Sequence, residues 1–136
     1  MNTNKTISTK ELEQILCVHK EEKYKEFTSK ICKDDIILGV KVPTVKKTAL
    51  SLLKQNYDLV SLINQLEDNS YFETRYCLAV AISKADLSFE DKIKLIRQFF
   101  KLLNSWTIVD GFCTLLKPFI KNNKKEFFEF IKPLFD

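Results

Sequence analysis

The sequence predicts an all-α protein that folds as a single domain. Its 136 residues include only two glycines and three prolines, too few turn residues for several short strands. Apolar residues recur at the three- and four-residue spacing of amphipathic helices, in segments roughly 10 to 16 residues long. Short connections separate these segments, as is typical of antiparallel helices that are neighbours in space.

The first helix is predicted from a capping box, in which Ser8 caps the helix and Glu11 stands three residues later. This helix should run to about residue 18. A second helix is predicted over about 20–32, because its apolar residues keep helical spacing. These residues are Tyr24, Phe27 and Ile31.

A loop over 34–42, which contains Gly39, leads to Pro43 in the first turn of the third helix, where its missing N–H is not needed. Ser88 and Asp91 form a second capping box further along. From the third onwards, the predicted helices span about 44–55, 57–66, 70–84, 88–103, 105–119 and 123–135.

The helix that begins near residue 71 is apolar on nearly every side, which predicts that it is buried from several directions. Segments that open near residues 44, 71 and 105 recur at ragged intervals. This pattern is compatible with HEAT-like helical pairs that stack into a superhelical solenoid. A closed helical bundle is the alternative.

Trp106 and Asp110 stand one turn apart on the helix predicted over 105–119. They fall opposite its apolar stripe, with Thr114 and Lys117 close by. An aromatic ring beside a carboxylate could bind and attack a nucleotide or a sugar. Alternatively, the tryptophan is shielded by a neighbouring repeat and the aspartate is solvated. The apolar stripe consists of Ile108, Val109, Phe112, Leu115, Leu116 and Phe119.

Charge is unevenly distributed. Residues 92–136 hold nine basic and four acidic residues, whereas residues 1–91 hold 13 basic and 14 acidic residues. A basic C-terminal part suits a polyanionic partner, although a solvated lysine-rich surface has the same composition.

Several classes of site are not expected. The four cysteines form no CxxC pair and only one histidine is present, so we expect no metal and no other cofactor. Cys77 and Cys113 lie in apolar helical segments and are predicted to be reduced core residues of a cytoplasmic protein. No apolar leader or membrane-spanning run is present, and no phosphate loop, GxSxG or HExxH motif occurs.

Three segments resemble the DNA alkylation repair family, the AlkD-like alkylpurine DNA glycosylases. KYKEFTSK at 23–30 with ILGVKVPTVKK at 37–47 is similar to the family's entry into its repeats. YFETR at 71–75 and NSWTIVDGFC at 104–113 are similar to two later segments. Each is weak alone, but their order and spacing are fairly specific across about residues 20–116.

The resemblance implies a superhelix of HEAT-like repeats whose basic concave face binds duplex DNA. It implies hydrolysis of the N-glycosidic bond of N3- or N7-alkylated purines without rotation of the base into a pocket, unlike most glycosylases. Trp106 then packs against the backbone of the damaged nucleotide. Asp110 stabilises the developing positive charge on the deoxyribose and positions the attacking water.

Phosphate binding is expected from four lysines. Two of them, Lys41 and Lys46, stand where the family usually has arginine, so the charge is kept but the bidentate geometry is lost. Lys47 and Lys117 are the other two. The resemblance also implies further helices and a catalytic-site arginine beyond Asp136, so we expect a form that lacks the C-terminal repeats.

Two functions therefore remain open, an alkylpurine DNA glycosylase and a non-catalytic helical-repeat module that binds DNA or protein. The enzyme requires the Asp110 carboxylate, whereas the module should tolerate asparagine there. The last helix should also support self-association, because Phe128 and Phe135 lie at the margin of its broad apolar surface.

Overall fold

The computed structural model describes residues 5–32, 35–67, 70–100 and 106–132, without the side chains of 106–110, 127, 130 and 131. All regular secondary structure in these ranges is helical, which confirms the predicted class. The helices are α1 (Thr9–Cys17), α2 (Glu22–Ile31), α3 (Val42–Lys54), α4 (Leu59–Gln65), α5 (Phe72–Lys84), α6 (Phe89–Phe100), α7 (Trp106–Asn122) and α8 (Lys124–Ile131).

Both predicted capping boxes start helices. The Ser8 Oγ accepts a hydrogen bond from the Glu11 N–H at 3.0 Å, and the Ser88 Oγ accepts one from the Asp91 N–H at 3.2 Å. Pro43 lies in the first turn of α3 as expected. At the starts of α1 and α6, a serine side chain therefore satisfies one of the backbone N–H groups that have no partner within the helix.

One helix continues further than predicted. The proline at position 118 was expected close to the end of its helix, but α7 continues through Pro118 to Asn122. The end is then closed by Asn123, whose side-chain amide donates to the Phe119 carbonyl at 2.9 Å. A proline removes one backbone hydrogen bond from a helix, and the packing of the flanking residues outweighs that loss here.

Helix α5 is the central element of the fold. It contacts α1, α3, α4, α6 and α7, with its broadest contacts on α3 and α7. Its residues Cys77–Ile82 are all buried, as the apolar sequence predicts. Helices α3, α5 and α7 thus form one layer, while α4 packs on α6 in a second layer. This arrangement is consistent with an α-helical repeat superhelix.

The layers are joined by aromatic and mixed contacts. Phe99 of α6 meets Phe112 of α7 edge to face, with ring centroids 4.7 Å apart. The buried Lys92 of α6 donates to the Ser83 carbonyl at 3.1 Å and lies 5.2 Å from the centroid of the Phe119 ring. Burial lowers the pKa of Lys92. This lysine therefore links α5, α6 and α7.

Of the two cysteines predicted to lie in the core, one is buried and one is exposed. Cys77 is fully buried, and burial raises the pKa of its thiol to about 12. Cys113, by contrast, is exposed, so its predicted place in the core is wrong. The residue lies about 100° around α7 from the buried Phe112, at the margin of the buried side, and its apolar sequence neighbours concealed that position.

Helix α2 also departs from the usual pattern, because none of its residues is buried. Its predicted apolar residues Phe27 and Ile31 are 63% and 67% exposed. Amphipathic spacing predicted the helix correctly, but of its three predicted apolar residues only Tyr24 is half-buried, whereas the other two face solvent.

None of the described helices has both the length and the apolar character needed to cross a membrane.

Candidate nucleic-acid interface

The first two turns of α7 carry both residues predicted to be catalytic. Trp106 begins the helix, and Asp110 follows one turn later. Their side chains lie outside the described part of the chain. Among the described residues on the same side of the helix, Cys113, Thr114 and Lys117 are all exposed. The opposite side is held in the core by the buried residues Phe112 and Leu116.

Gly111, the residue after Asp110, marks a close approach between α7 and α5. A Cβ atom at this position would lie 3.0 Å from Cε2 and 3.4 Å from Cδ2 of Tyr76. The Tyr76 ring is half-buried and stacks on Phe72 with centroids 5.8 Å apart. The absence of a side chain at Gly111 thus lets the tyrosine ring lie beside the backbone that carries Asp110.

Tyr76 is chemically suited to a polar surface at this point. Its hydroxyl is protonated at neutral pH and can donate a hydrogen bond, and burial raises the pKa of the phenol further. The sequence interpretation did not single out this residue. The available signal was the glycine inside an amphipathic helix, which commonly marks a close backbone approach.

Glu73 of α5 organises the loop before α3. Its buried carboxylate accepts hydrogen bonds from three consecutive backbone N–H groups, those of Leu38 at 2.9 Å, Gly39 at 2.7 Å and Val40 at 3.0 Å. A carboxylate that accepts several backbone N–H bonds holds a loop in one conformation. The start of α3 is therefore fixed relative to α5.

Only glycine fits at position 39. Its φ is +103°, in the region that L side chains avoid, and a Cβ there would lie 2.7 Å from the Cβ of Lys25. The Gly39 carbonyl in turn accepts from the Glu21 N–H at 2.8 Å. The loop is thus held between α2 and α5.

The other charged residue of the YFETR segment is also internal. Arg75 is 3% exposed, and its guanidinium donates to the Glu67 carbonyl. Both Glu73 and Arg75 consequently belong to the framework and are not available to a partner at the surface.

The predicted phosphate-binding lysines lie on two helices. Lys41 caps α3, and Lys46 and Lys47 follow within its first two turns; all three are exposed. The Lys41 Nζ lies 3.5 Å from the Glu21 Oε1, an exposed pair that is weak and screened by salt. Lys117 is exposed on α7. Helices α3 and α7 both pack on α5. The three lysines of α3 and the single lysine of α7 are therefore carried by helices on either side of the central helix.

Comparison with known families identifies the family of this chain. The family described as DNA alkylation repair enzyme matches residues 9–134, nearly the whole chain. The chain belongs to this family. No curated protein and no solved structure matches it.

Membership in the DNA alkylation repair family assigns a role in DNA repair and makes DNA the partner. The family match extends over α1 to α8 and includes the α3 lysines, the start of α7 and the loop held by Glu73. The resemblance based on three short segments is therefore confirmed over a longer stretch than those segments cover.

Proposed function

We propose that this DNA alkylation repair protein is an AlkD-like glycosylase that removes N3- or N7-alkylated purines from duplex DNA. The observation that carries the proposal is the family match, which includes the Trp106–Asp110 segment at the start of α7. The exposure of the neighbouring Thr114 and Lys117 supports access of a large substrate to this side of the helix.

The proposed reaction uses the chemistry of the lesion. Alkylation makes the purine cationic, so the bond from its ring nitrogen to C1′ of deoxyribose breaks with the electron pair neutralising the base. Asp110 stabilises the positive charge that develops on the sugar and positions a water molecule. The water oxygen bonds to C1′ and its proton passes to Asp110 or solvent. The products are the free base and an abasic site.

Binding is proposed to rest on the backbone of the DNA. Trp106 packs against the damaged nucleotide, and phosphates are bound by Lys41, Lys46, Lys47 and Lys117. Lysine neutralises phosphates without fixed geometry, which suits recognition of the duplex rather than of its sequence. Affinity should fall steeply as salt increases.

The decisive experiment is excision from a duplex that contains a single N7-methylguanine. We expect the wild-type protein to release the base, and Asp110→Asn to lower the single-turnover rate about 100-fold or more. DNA affinity and melting temperature should change little, because the substitution is nearly isosteric. Asp86→Asn, an exposed position in the α5–α6 connection, is the matched control and should excise normally.

One outcome would contradict the enzymatic activity, and two would contradict the role of Asp110. Wild-type protein that binds duplex DNA in a salt-dependent way but releases no base would favour the alternative, a non-catalytic helical-repeat module. Equal excision by Asp110→Asn and wild type would remove the catalytic role from Asp110. A large loss of melting temperature in Asp110→Asn would make this aspartate structural.

A further inference from the structure

We propose that α2 is a second DNA-contacting element, with Phe27 and Ile31 packing into the minor groove and Lys23 and Lys30 binding the flanking phosphates. This inference rests on the DNA-binding function proposed above. It adds the surface of α2 to the residues of α3 and α7 that were proposed to bind DNA.

The apolar side chains on α2 are unusually exposed for a protein with a well-formed core. Phe27 is 63% and Ile31 67% exposed, and the helix buries no residue. These two side chains stand one turn apart on one side of the helix, about 6 Å along its axis. Single exposed apolar residues are common on protein surfaces, but these two are adjacent and form one apolar patch.

The helix is nonetheless held firmly in place. The Glu21 N–H donates to the Gly39 carbonyl, and the Cα and Cβ of Lys25 lie against Gly39. The loop that contains Gly39 is itself fixed by Glu73. One side of α2 thus docks on the body of the protein, while the side that carries Phe27 and Ile31 points away from this attachment.

Charge complementarity identifies the partner as a polyanion. Successive residues of a helix are rotated by about 100°, which places Lys23 and Lys30 between Phe27 and the acidic residues. Glu26 follows the two lysines around the helix, about 100° from Phe27, and Glu22 lies further round. Within the described residues, neither Lys23 nor Lys30 forms an ion pair. The two lysines are two turns apart, about 10 Å along the axis, with Phe27 between them.

This combination suits duplex DNA. Proteins that bind the minor groove use apolar side chains such as phenylalanine and isoleucine against sugars and base steps, with basic residues on the phosphates. A second copy of this chain would instead bring Lys23 and Lys30 of both copies towards each other. The basic flank therefore favours DNA over self-association.

The test compares two double variants by anisotropy with an undamaged duplex at several salt concentrations. Phe27→Ala with Ile31→Ala should weaken binding about tenfold and leave the salt dependence unchanged, because apolar contacts release no counterions. Lys23→Gln with Lys30→Gln should lower the slope of log affinity against log salt by about two.

Matched controls come from residues around a groove lined by the end of α3, by α4 and by α6. Val60→Ala on α4 removes an exposed apolar side chain, and Lys54→Gln with Lys94→Gln removes two exposed lysines that line this groove. These variants should bind DNA as the wild type does. Because α2 buries no residue, all α2 variants should melt at the wild-type temperature, which circular dichroism checks.

The possible results separate this inference from the proposed function. Wild-type affinity in both α2 variants, with loss of binding in Lys46→Gln/Lys47→Gln, would overturn the role of α2 and leave the glycosylase intact. Absence of binding and excision by the wild type would overturn both. If Phe27→Ala/Ile31→Ala abolishes self-association in sedimentation but not DNA binding, α2 contacts a second copy and the inference is wrong.

Discussion

Glu73 shows how one side chain can position a surface that it does not itself form. Its carboxylate accepts three backbone hydrogen bonds from residues 38–40, and the exposed lysines of α3 begin immediately after this loop. An acidic residue in the first turn of a helix is ordinarily explained by the helix dipole. The sequence could not predict the buried role, because the three N–H groups belong to residues more than 30 positions away.

We expect Glu73→Gln to lower the free energy of unfolding by about 2 kcal/mol, because the amide leaves at least one buried backbone N–H without an acceptor. The melting temperature should fall by several degrees, and DNA affinity should fall in parallel as the start of α3 loses its fixed position. Glu26→Gln, exposed on α2, is the control and should melt as the wild type does. Equal stability of both variants would contradict the structural role assigned to Glu73.

At the scale of elements, sequence periodicity predicted all eight helices, and capping residues fixed several of their starts. It was less informative about which side each helix buries. The apolar character of α5 correctly indicated an inner helix, whereas Phe27 and Ile31 of α2 are exposed and Cys113 lies outside the core. Periodicity describes one helix at a time, and burial depends on which neighbours are present.

Whether the exposed side of α7 faces DNA can be measured directly. Cys113 is exposed one turn after Asp110, so a maleimide probe should label it readily. Cys77 should resist labelling, because it is buried and the pKa of its thiol is about 12. We expect saturating duplex DNA to slow the labelling of Cys113 at least several-fold.

The control for this footprint is a cysteine introduced at Val60, which is exposed on α4. The experiment uses a background in which Cys17 and Cys32 are replaced by serine. DNA should leave the labelling rate at position 60 unchanged. Equal rates at Cys113 with and without DNA would mean that this side of α7 does not face the duplex, even if excision is observed.

At the scale of the whole molecule, low glycine and proline content and regular helical spacing were sufficient to predict an all-α chain with a buried central helix. The sequence could not show how α3 and α7 are arranged about α5, since that depends on side-chain packing between distant segments. The close approach at Gly111 and Tyr76 is the clearest example, because neither residue alone predicts the contact.

Self-association through an exposed apolar residue and binding to DNA through lysines should respond to salt in opposite ways. Phe128 on α8 is 61% exposed, while Phe135, predicted to join it, lies outside the described residues. The exposed Lys124 and Lys125 lie one turn before Phe128 on the same side of α8, whereas the exposed Glu126 and Glu129 lie further round the helix. The surface around Phe128 therefore repels a second copy at low salt. Self-association through Phe128 should therefore increase with salt, whereas DNA binding should decrease.

Sedimentation velocity at high protein concentration, in low and high salt, tests this prediction. We expect Phe128→Lys to remain monomeric at high salt, because it replaces the apolar contact with a further positive charge. Val60→Lys also replaces an exposed apolar residue by lysine, but on α4, and this variant should associate as the wild type does. A wild-type protein that is monomeric under all conditions would contradict the prediction. Association that weakens with salt would instead indicate ionic contacts between copies, since screening strengthens an apolar contact between like-charged surfaces and weakens an ion pair.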